Sequence, residues 1–238
     1  MALGVAGGLG ASTISCSGTT ATIQACMTAD SIYWQDDVDS SSLGETGSSH
    51  TASFPSTQWA TTSTNSVSVS LQSNDTLNRM DNTVASYQGT FASGASLIQD
   101  TGFNDVTIRF GQALYGLALR LSVPSMANFN ATINAYTSFN PSGFPAASLS
   151  LTNVPGGGSC PTADCNTAPF IGFYNLASTI QSIRITTSDT TGFLIDRLFL
   201  QESLITPPQQ TPEPVLTALI GSGLAIFAIL AKRRRRAA

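Results

Sequence analysis

The feature that most constrains the fold is a series of short runs in which apolar and polar residues alternate. Residues 66–71 alternate serine with Val67, Val69 and Leu71, and residues 117–123 repeat the pattern with larger side chains. Further strand-like runs lie at residues 106–110, 131–139, 149–151, 170–174, 180–185 and 193–200. Turn-forming residues separate the runs, and no long amphipathic helix interrupts them. Alternation with a period of two predicts an all-β, antiparallel, jelly-roll-like β-sandwich.

The same pattern gives three local expectations. In the run 117–123 the leucines should face the core and Arg120 should face outward, because successive strand side chains point to opposite faces. A turn is expected at Gly111 and Gln112, between two of the runs. Residues 74–85 lack a clear alternation and are compatible with one or two helical turns.

The C-terminal end has a different character. Residues 215–231 are apolar and uncharged, and the cations that follow are Lys232, Arg233, Arg234, Arg235 and Arg236. A helix of this length spans about 25 Å, close to the roughly 30 Å hydrocarbon core of a bilayer. Residues 215–231 are therefore predicted to form a single transmembrane helix, with 232–238 as a basic cytoplasmic tail. Clustered cations stop transfer, so residues 1–214 should lie outside the cytoplasm.

The region before the span carries a short motif, Pro212, Glu213 and Pro214, within a proline-rich linker at 205–214. Together with the apolar span and the arginine cluster, it resembles the PEP-CTERM sorting signal of Gram-negative bacteria. Thr211 stands where that family usually has valine. The resemblance implies cleavage near the motif by an exosortase-type membrane protease, after a stage anchored in the inner membrane. The alternative is an ordinary C-terminal anchor behind a proline-rich linker.

The resemblance also implies a destination, the cell envelope surface or an extracellular matrix that contains exopolysaccharide, as in a biofilm. Residues 13–204 are then one exported domain. Residues 1–12 are apolar and rich in small residues, as at the end of a secretion signal, without a positively charged n-region.

The charge is distributed unevenly. Five of the ten basic residues belong to the tail, so residues 1–214 hold five arginines against all fourteen acidic residues, a net charge of −9. Nucleic acid is an unfavourable partner for such a surface, because phosphate binding needs clustered cations. The acidic balance favours divalent cations or neutral glycans instead.

The four cysteines are Cys16, Cys26, Cys160 and Cys165. An even count in an exported chain predicts two disulfides. The local pairs 16–26 and 160–165 are the simplest of three connectivities. A zinc site is disfavoured, because the cysteine spacings do not match and the only histidine, His50, is remote in sequence.

A second resemblance covers roughly residues 60–202. The ordered segments that carry it are residues 108–110, 113–121, 133–136, 170–173, 183–185 and 192–198. They are similar to a β-sandwich domain that recurs in PEP-CTERM proteins and to jelly-roll carbohydrate-binding modules. The resemblance bears on the fold more than on any ligand.

Acidic residues suggest a metal site. Asp36, Asp37 and Asp39 place three carboxylates within four residues, and Asp196 interrupts an otherwise apolar run. Calcium takes six to eight oxygen ligands, so these four residues are candidates for a structural calcium site. The alternatives are a solvated acidic loop and an ion pair between Asp196 and an arginine such as Arg184.

Rings that could stack on sugars are Tyr33, Trp34, Trp59, Tyr87, Tyr115 and Tyr136. Of these, Trp34 and Tyr136 are the candidates for a glycan site. No catalytic motif accompanies them, and His50 is the only histidine that could act as a base. The sequence thus predicts an exported, non-catalytic surface or matrix protein. The first alternative is a carbohydrate-binding module, and the second is a hydrolase that uses a pair of carboxylates.

Overall fold

The computed structural model describes residues 12–16, 36–38, 51–63, 67–81, 91, 95–102, 105–125, 127–156, 167–174, 176–189 and 191–204. The chain divides into two units, residues 1–204 and residues 205–238. The sorting motif, the apolar span and the arginine cluster therefore lie outside the described residues. In the part of the chain that is described, no helix has the length and apolarity needed to cross a membrane.

The described part of the first unit consists of β-strands and their connections. The strands are β1 (Ser12–Cys16), β2 (Asp36–Val38), β3 (Thr51–Phe54), β4 (Ala60–Ser63), β5 (Ser68–Ser73), β6 (Leu77–Asp81), β7 (Ser96–Asp100), β8 (Asp105–Leu114), β9 (Gly116–Ser122), β10 (Phe129–Tyr136), β11 (Ala147–Val154), β12 (Phe170–Tyr174), β13 (Ile180–Thr187) and β14 (Phe193–Gln201).

The strands form two sheets in which all pairings are antiparallel. The eight-stranded sheet has the order β1-β12-β9-β14-β7-β6-β3, with β2 beside the second half of β14. The six-stranded sheet has the order β11-β10-β13-β8-β5-β4. In β14 the register shifts between Asp196 and Leu198, where Arg197 adopts a φ of 43°. The first half of β14 pairs with β7 and the second half with β2, so Arg197 marks the change of neighbour.

The core lies between the two sheets. In the six-stranded sheet the alternating apolar residues point inward, as Val69 and Leu71 of β5 and Ile108 of β8 show. Leu117, Leu119 and Leu121 of β9 meet them from the eight-stranded sheet, and all are fully buried. Burying a leucine side chain stabilises a fold by about 1.5–3 kcal/mol. The prediction of an all-β sandwich is confirmed.

Two local expectations are wrong. Strand β8 does not turn at Gly111 and Gln112 but continues to Leu114, because its far end still pairs with β13. The chain changes sheets at Tyr115 instead. Its N–H donates to the carbonyl of Gln201 (2.7 Å), and its carbonyl accepts from the N–H of Leu176 (2.8 Å).

The segment with no clear alternation is not helical where it is described. Residues Leu77–Asp81 form β6, which is held between β3 and β7. Sheet pairing on both sides supplies the backbone hydrogen bonds that a helix would otherwise provide, so tertiary context overrides local propensity.

Arg120 does occupy the outward position of β9, but it is not exposed. Every residue of β9 is buried, and Arg120 has 3% of its surface accessible. The outer side of the eight-stranded sheet is covered by a second apolar cluster of Phe91, Leu97, Ala168 and Leu194. That sheet is therefore buried on both sides along its central strands.

Candidate functional site

The outer side of the six-stranded sheet is accessible, and we call it the open face. Its outward residues are mostly small and polar: Thr61, Ser70, Thr107, Arg109, Thr132, Asn134, Ser148, Ser150 and Arg184. One row crosses five strands in register, from Ser148 through Asn134, Arg184 and Thr107 to Gln72. Hydroxyl and amide groups thus form a polar platform with fixed spacing.

Two aromatic rings meet above this platform. The guanidinium carbon of Arg109 lies 3.8 Å from the ring centroid of Trp59 and 5.2 Å from that of Phe139. Arg109 projects from β8 near the middle of the sheet. Trp59 reaches it from beside β4, and Phe139 reaches it from the loop after β10. We call this group the aromatic–arginine stack.

The connection before β4 positions Trp59. The N–H of Gln58 donates to the carbonyl of Pro55 (2.8 Å), which closes a turn just ahead of the tryptophan. The amide of Gln72 donates to the carbonyl of Ser56 (2.6 Å), which ties this turn to β5. Trp59 therefore stands on a loop that is fastened to the sheet.

The loop between β10 and β11 positions Phe139. The hydroxyl of Ser182 on β13 donates to the carbonyl of Ser138 (2.7 Å), and the hydroxyl of Ser138 donates to the carbonyl of Asn140 (2.6 Å). These bonds hold the loop over the open face. Phe139 remains 46% exposed, and Phe144, farther along the same loop, is fully exposed.

A second arginine on the open face has a carboxylate partner. Arg184 donates from Nε to both carboxylate oxygens of Asp105 (2.9 and 3.0 Å), and its Nη2 also contacts that carboxylate. Asn74 donates to Asp105 as well (2.9 Å). The hydrogen bond with Asp105 raises the pKa of Arg184. Its cation is thus already engaged within the protein.

On the eight-stranded sheet, the charged side chains of Arg120 and Asp196 are buried. Asp196 on β14 lies opposite Arg120 on β9 in register, and each is 3% exposed. Arg120 also donates to the carbonyl of Ala168 (3.0 Å) and lies over the ring of Phe170. The expected pair of Asp196 with Arg184 is wrong, because Arg184 belongs to the other sheet and binds Asp105.

The calcium hypothesis stays a prediction. Asp36 and Asp37 lie in β2, in register with Leu200 and Phe199, which are four and three positions along β14 from Asp196. Asp39 lies outside the described residues. No group of three or more histidine, cysteine, aspartate or glutamate side chains suited to a metal occurs among the described side chains, which do not include those of Asp36 and Asp37.

The remaining predicted site residues have different outcomes. Tyr136 is only 9% exposed, so its ring offers no open surface for a sugar, and this choice is wrong. Trp34 and the cysteines at 26, 160 and 165 lie outside the described residues. Cys16 is the last residue of β1, whose side chains are not described.

Sequence reasoning did not identify the aromatic–arginine stack. One signal was present, because Arg109 occupies a polar position in the alternation of residues 106–110, which places it on an outer face. The rings come from residues 59 and 139, 50 and 30 positions away. Only the strand order and the two loops bring them together.

A small apolar cleft lies between the sheets, beside the bulge at Arg197. Its lining residues are Val38, Thr62, Leu71, Ile98, Ile195, Arg197 and Leu198. Aliphatic walls of this kind offer little for a polyhydroxylated ligand to bind. The open face carries the hydrogen-bonding groups.

Comparison with known proteins gives structural matches only. No protein-family model matches the chain, and no curated protein does. Among solved structures, a family 6 carbohydrate-binding module matches with a TM-score of 0.32 and 14% identity, over 64% of this chain and 94% of the module. A module of the same family from Clostridium stercorarium, in complex with cellobiose, matches with a TM-score of 0.28 and 15% identity. This match covers 48% of this chain and 79% of the module.

A third match is TmCBM61 in complex with β-1,4-galactotriose, with a TM-score of 0.29 and 8% identity, over 58% of this chain and 90% of the module. At these values the matches do not bear on the ligand of this chain. Its function has to be argued from its own side chains.

Proposed function

We propose that this chain is an exported, non-catalytic protein that binds a polysaccharide on its open face. The observation that carries the proposal is the aromatic–arginine stack beside a platform of hydroxyl and amide groups. Trp59 and Phe139 supply rings, and Thr107, Asn134 and Ser148 lie on strands that hold them at fixed spacing.

The chemistry of a sugar chain fits this surface. A pyranose ring has an apolar C–H side, which packs against an aromatic ring, and hydroxyls around its edge, which need hydrogen-bond partners. A sheet presents side chains at regular intervals and loses little conformational entropy when a ligand binds. An extended polymer can therefore make several contacts at once.

Two described carboxylates, those of Asp105 and Asp189, are held by structural partners. Asp105 is held by Arg184 and Asn74, and Asp189 accepts hydrogen bonds from Ser125 and Thr191. Glycoside hydrolysis needs two carboxyl groups facing one bond, one of them free to donate a proton. Carboxylates committed to structural partners do not suit that task.

The proposal is tested by affinity electrophoresis of the full chain in a detergent without a sugar headgroup. The gels contain neutral and acidic polysaccharides. We expect at least one polymer to retard the protein, and Trp59→Ala to reduce that retardation about tenfold or more. The matched control is Tyr174→Ala, which removes a half-buried ring from β12 of the other sheet and should leave retardation unchanged.

Two results would contradict the proposal. The first is an absence of retardation by every polymer, with the protein shown to be folded by its thermal transition. The second is an equal loss of binding in both variants. Shortening of the polymers during incubation with the protein would support the hydrolase alternative instead.

A sorting role for the tail is part of the same proposal and rests on the sequence of residues 211–236. The hypothesis is that an exosortase-type protease cuts near Pro212, Glu213 and Pro214 and passes the domain to the envelope surface or an exopolysaccharide matrix. The intact mass of the mature protein from its native host tests this. We expect a mass that ends near residue 214, whereas a mass that includes Arg236 would show a permanent anchor.

A further inference from the structure

Among the described residues of the open face, Arg109 is the arginine whose guanidinium lies beside aromatic rings. Its guanidinium carbon is 3.8 Å from the ring centroid of Trp59 and 5.2 Å from that of Phe139, and β8 carries its backbone near the middle of the six-stranded sheet. These contacts place the cation of Arg109 beside two rings on the open face.

The hydrogen-bonding groups of Arg109 are not used within the described part of the chain. Its Nε is buried and has no hydrogen-bond partner, and among the described residues no carboxylate pairs with it. Arg184, two strand positions away on the neighbouring strand, shows the contrast, because the carboxylate of Asp105 accepts from both its Nε and its Nη2.

Stacking leaves the useful part of a guanidinium accessible. The N–H donors of a guanidinium lie in its plane, and since Nε of Arg109 is buried, the donors left for a ligand are those of Nη1 and Nη2. Burial lowers the pKa of Arg109, yet an arginine stays protonated at neutral pH. A partly desolvated cation without a counter-charge gains much from an anion that reaches its edge.

The neighbours of Arg109 suit a sugar that carries such an anion. Ser70 lies opposite Arg109 on the adjacent strand β5, and the hydroxyls of Ser70 and Thr61 are 3.2 Å apart. Hydroxyl groups of this kind can bind the ring substituents next to a charged group. The anion expected here is therefore part of a sugar.

We propose that the ligand is an acidic polysaccharide, and that Arg109 binds a uronate carboxylate through its planar donor edge. This inference rests on the proposed function and makes it more specific. A carboxylate is planar and has two oxygens, so it matches the donor pair of arginine in a bidentate contact. The net charge of −9 over residues 1–214 led to the expectation of a neutral glycan. The cation of Arg109 makes the open face locally favourable for an anionic group despite this net charge.

The test compares two polymers that differ only in their charge. Isothermal titration of the full chain is carried out with polygalacturonate and with its carboxyl-reduced form, both in a chelator so that a divalent cation cannot bridge protein and polymer. We expect polygalacturonate to bind at least about tenfold more tightly than the reduced polymer. A sulfated galactan, included as a third polymer, should bind no better than the reduced one.

Variants then locate the effect. Arg109→Gln should abolish the preference for polygalacturonate and leave weak binding to the reduced polymer. Arg109→Lys keeps the charge and loses the planar fork, so it should recover less than half of the preference. Arg184→Gln removes the same charge from the same face and should change the affinity less than threefold, because that cation is already held by Asp105.

Each outcome decides between the proposals. Equal binding of the two galacturonate-derived polymers, or equal effects of Arg109→Gln and Arg184→Gln, would overturn the uronate inference and leave glycan binding intact. A preference for the sulfated galactan would overturn it in favour of a sulfate ester. Failure to bind any polymer would overturn both the inference and the proposed function.

Discussion

The outer sides of the two sheets carry arginines at equivalent positions of alternating runs, but the surroundings of these arginines differ. On the eight-stranded sheet, Arg120 is 3% exposed, donates to a backbone carbonyl and lies opposite Asp196. On the six-stranded sheet, Arg109 lies beside two rings, and its Nε has no hydrogen-bond partner among the described residues. Both arginines occupy polar positions in alternating runs, only eleven residues apart in sequence.

The difference comes from what lies on each sheet. Phe91 and Ala168 pack on the outer side of the eight-stranded sheet, so a charge there needs partners within the protein. Among the described residues, no apolar cluster of this kind lies on the outer side of the six-stranded sheet, and outer residues such as Thr107 and Arg184 are partly or largely accessible. An outward arginine therefore stabilises the structure on one side and is available to a ligand on the other.

The largest contrast is expected at two glycines. A Cβ at Gly172 would overlap the backbone of Leu117 and Ala118 on the adjacent strand. A Cβ at Gly111 would overlap the hydroxyl of Ser68, which can rotate away, and would lie 3.3 Å from the Cβ of Ser68. Gly172→Ala should lower the free energy of unfolding by at least about 3 kcal/mol. Gly111→Ala should lower it by less than about 1 kcal/mol. Urea unfolding of both variants measures the difference, and equal losses would contradict a closely packed eight-stranded sheet.

The next effect concerns Arg120. Arg120→Ala removes the hydrogen bond to Ala168 and takes a cation from beside the buried Asp196, which should cost about 2–3 kcal/mol. Urea unfolding again provides the measurement, with Thr107→Ala on the open face as the control. If Arg120→Ala lowered the free energy of unfolding no more than the control, the outer side of the eight-stranded sheet would not be buried as described.

A smaller effect is expected at the ion pair of the open face. The side chain of Arg184 is 47% exposed and that of Asp105 is 10% exposed, so solvent screens much of their attraction. Arg184→Gln should cost about 0.5–1 kcal/mol, and the loss should shrink in 1 M salt. A loss above that of Arg120→Ala would reverse the proposed contrast between the faces.

The smallest effect lies in the connection between β13 and β14, which joins the two sheets. Burial alone would raise the pKa of Asp189, but hydrogen bonds from Thr191 and Ser125 outweigh it, and the pKa is lowered. The stabilisation is therefore complete above the ordinary aspartate pKa of about 4 and is lost as the pH falls through the lowered value.

Asp189→Asn is the variant that checks this pH dependence. It should be slightly less stable than the original protein at pH 7, and the difference should vanish near pH 2. Thermal unfolding across this pH range gives the measurement. A difference that grows on acidification would show that the assigned direction is wrong.

The sequence predicts the layered fold well, because period-two alternation identifies the core side of strands such as β5 and β9. It does not predict which outer face is covered. The expectation that Arg120 points to solvent failed because Phe91 and Ala168 come from distant parts of the chain. The turn assigned to Gly111 failed because glycine is also tolerated within a strand, where here it leaves room beside Ser68.

The candidate site is less accessible to sequence reasoning. Tyr136 looked suitable as a ring, but it is only 9% exposed and lies beside β13, and such burial is set by the assembled sheet. Trp59 and Phe139 gain their role from two loops and from the strand order β10-β13-β8-β5-β4, which no local pattern encodes. Register across several strands is a property of the assembled sheet.

The most direct test of a glycan-binding open face uses the two tryptophans of the chain as separate reporters. In Trp34→Phe the single remaining tryptophan is Trp59, which belongs to the aromatic–arginine stack. In Trp59→Phe the single remaining tryptophan is Trp34. The full chain of each variant is titrated with polygalacturonate and with its carboxyl-reduced form while tryptophan emission is recorded. The account predicts a saturable change in the variant that retains Trp59 and none in the variant that retains Trp34. A response from Trp34 alone, or from neither, would contradict it.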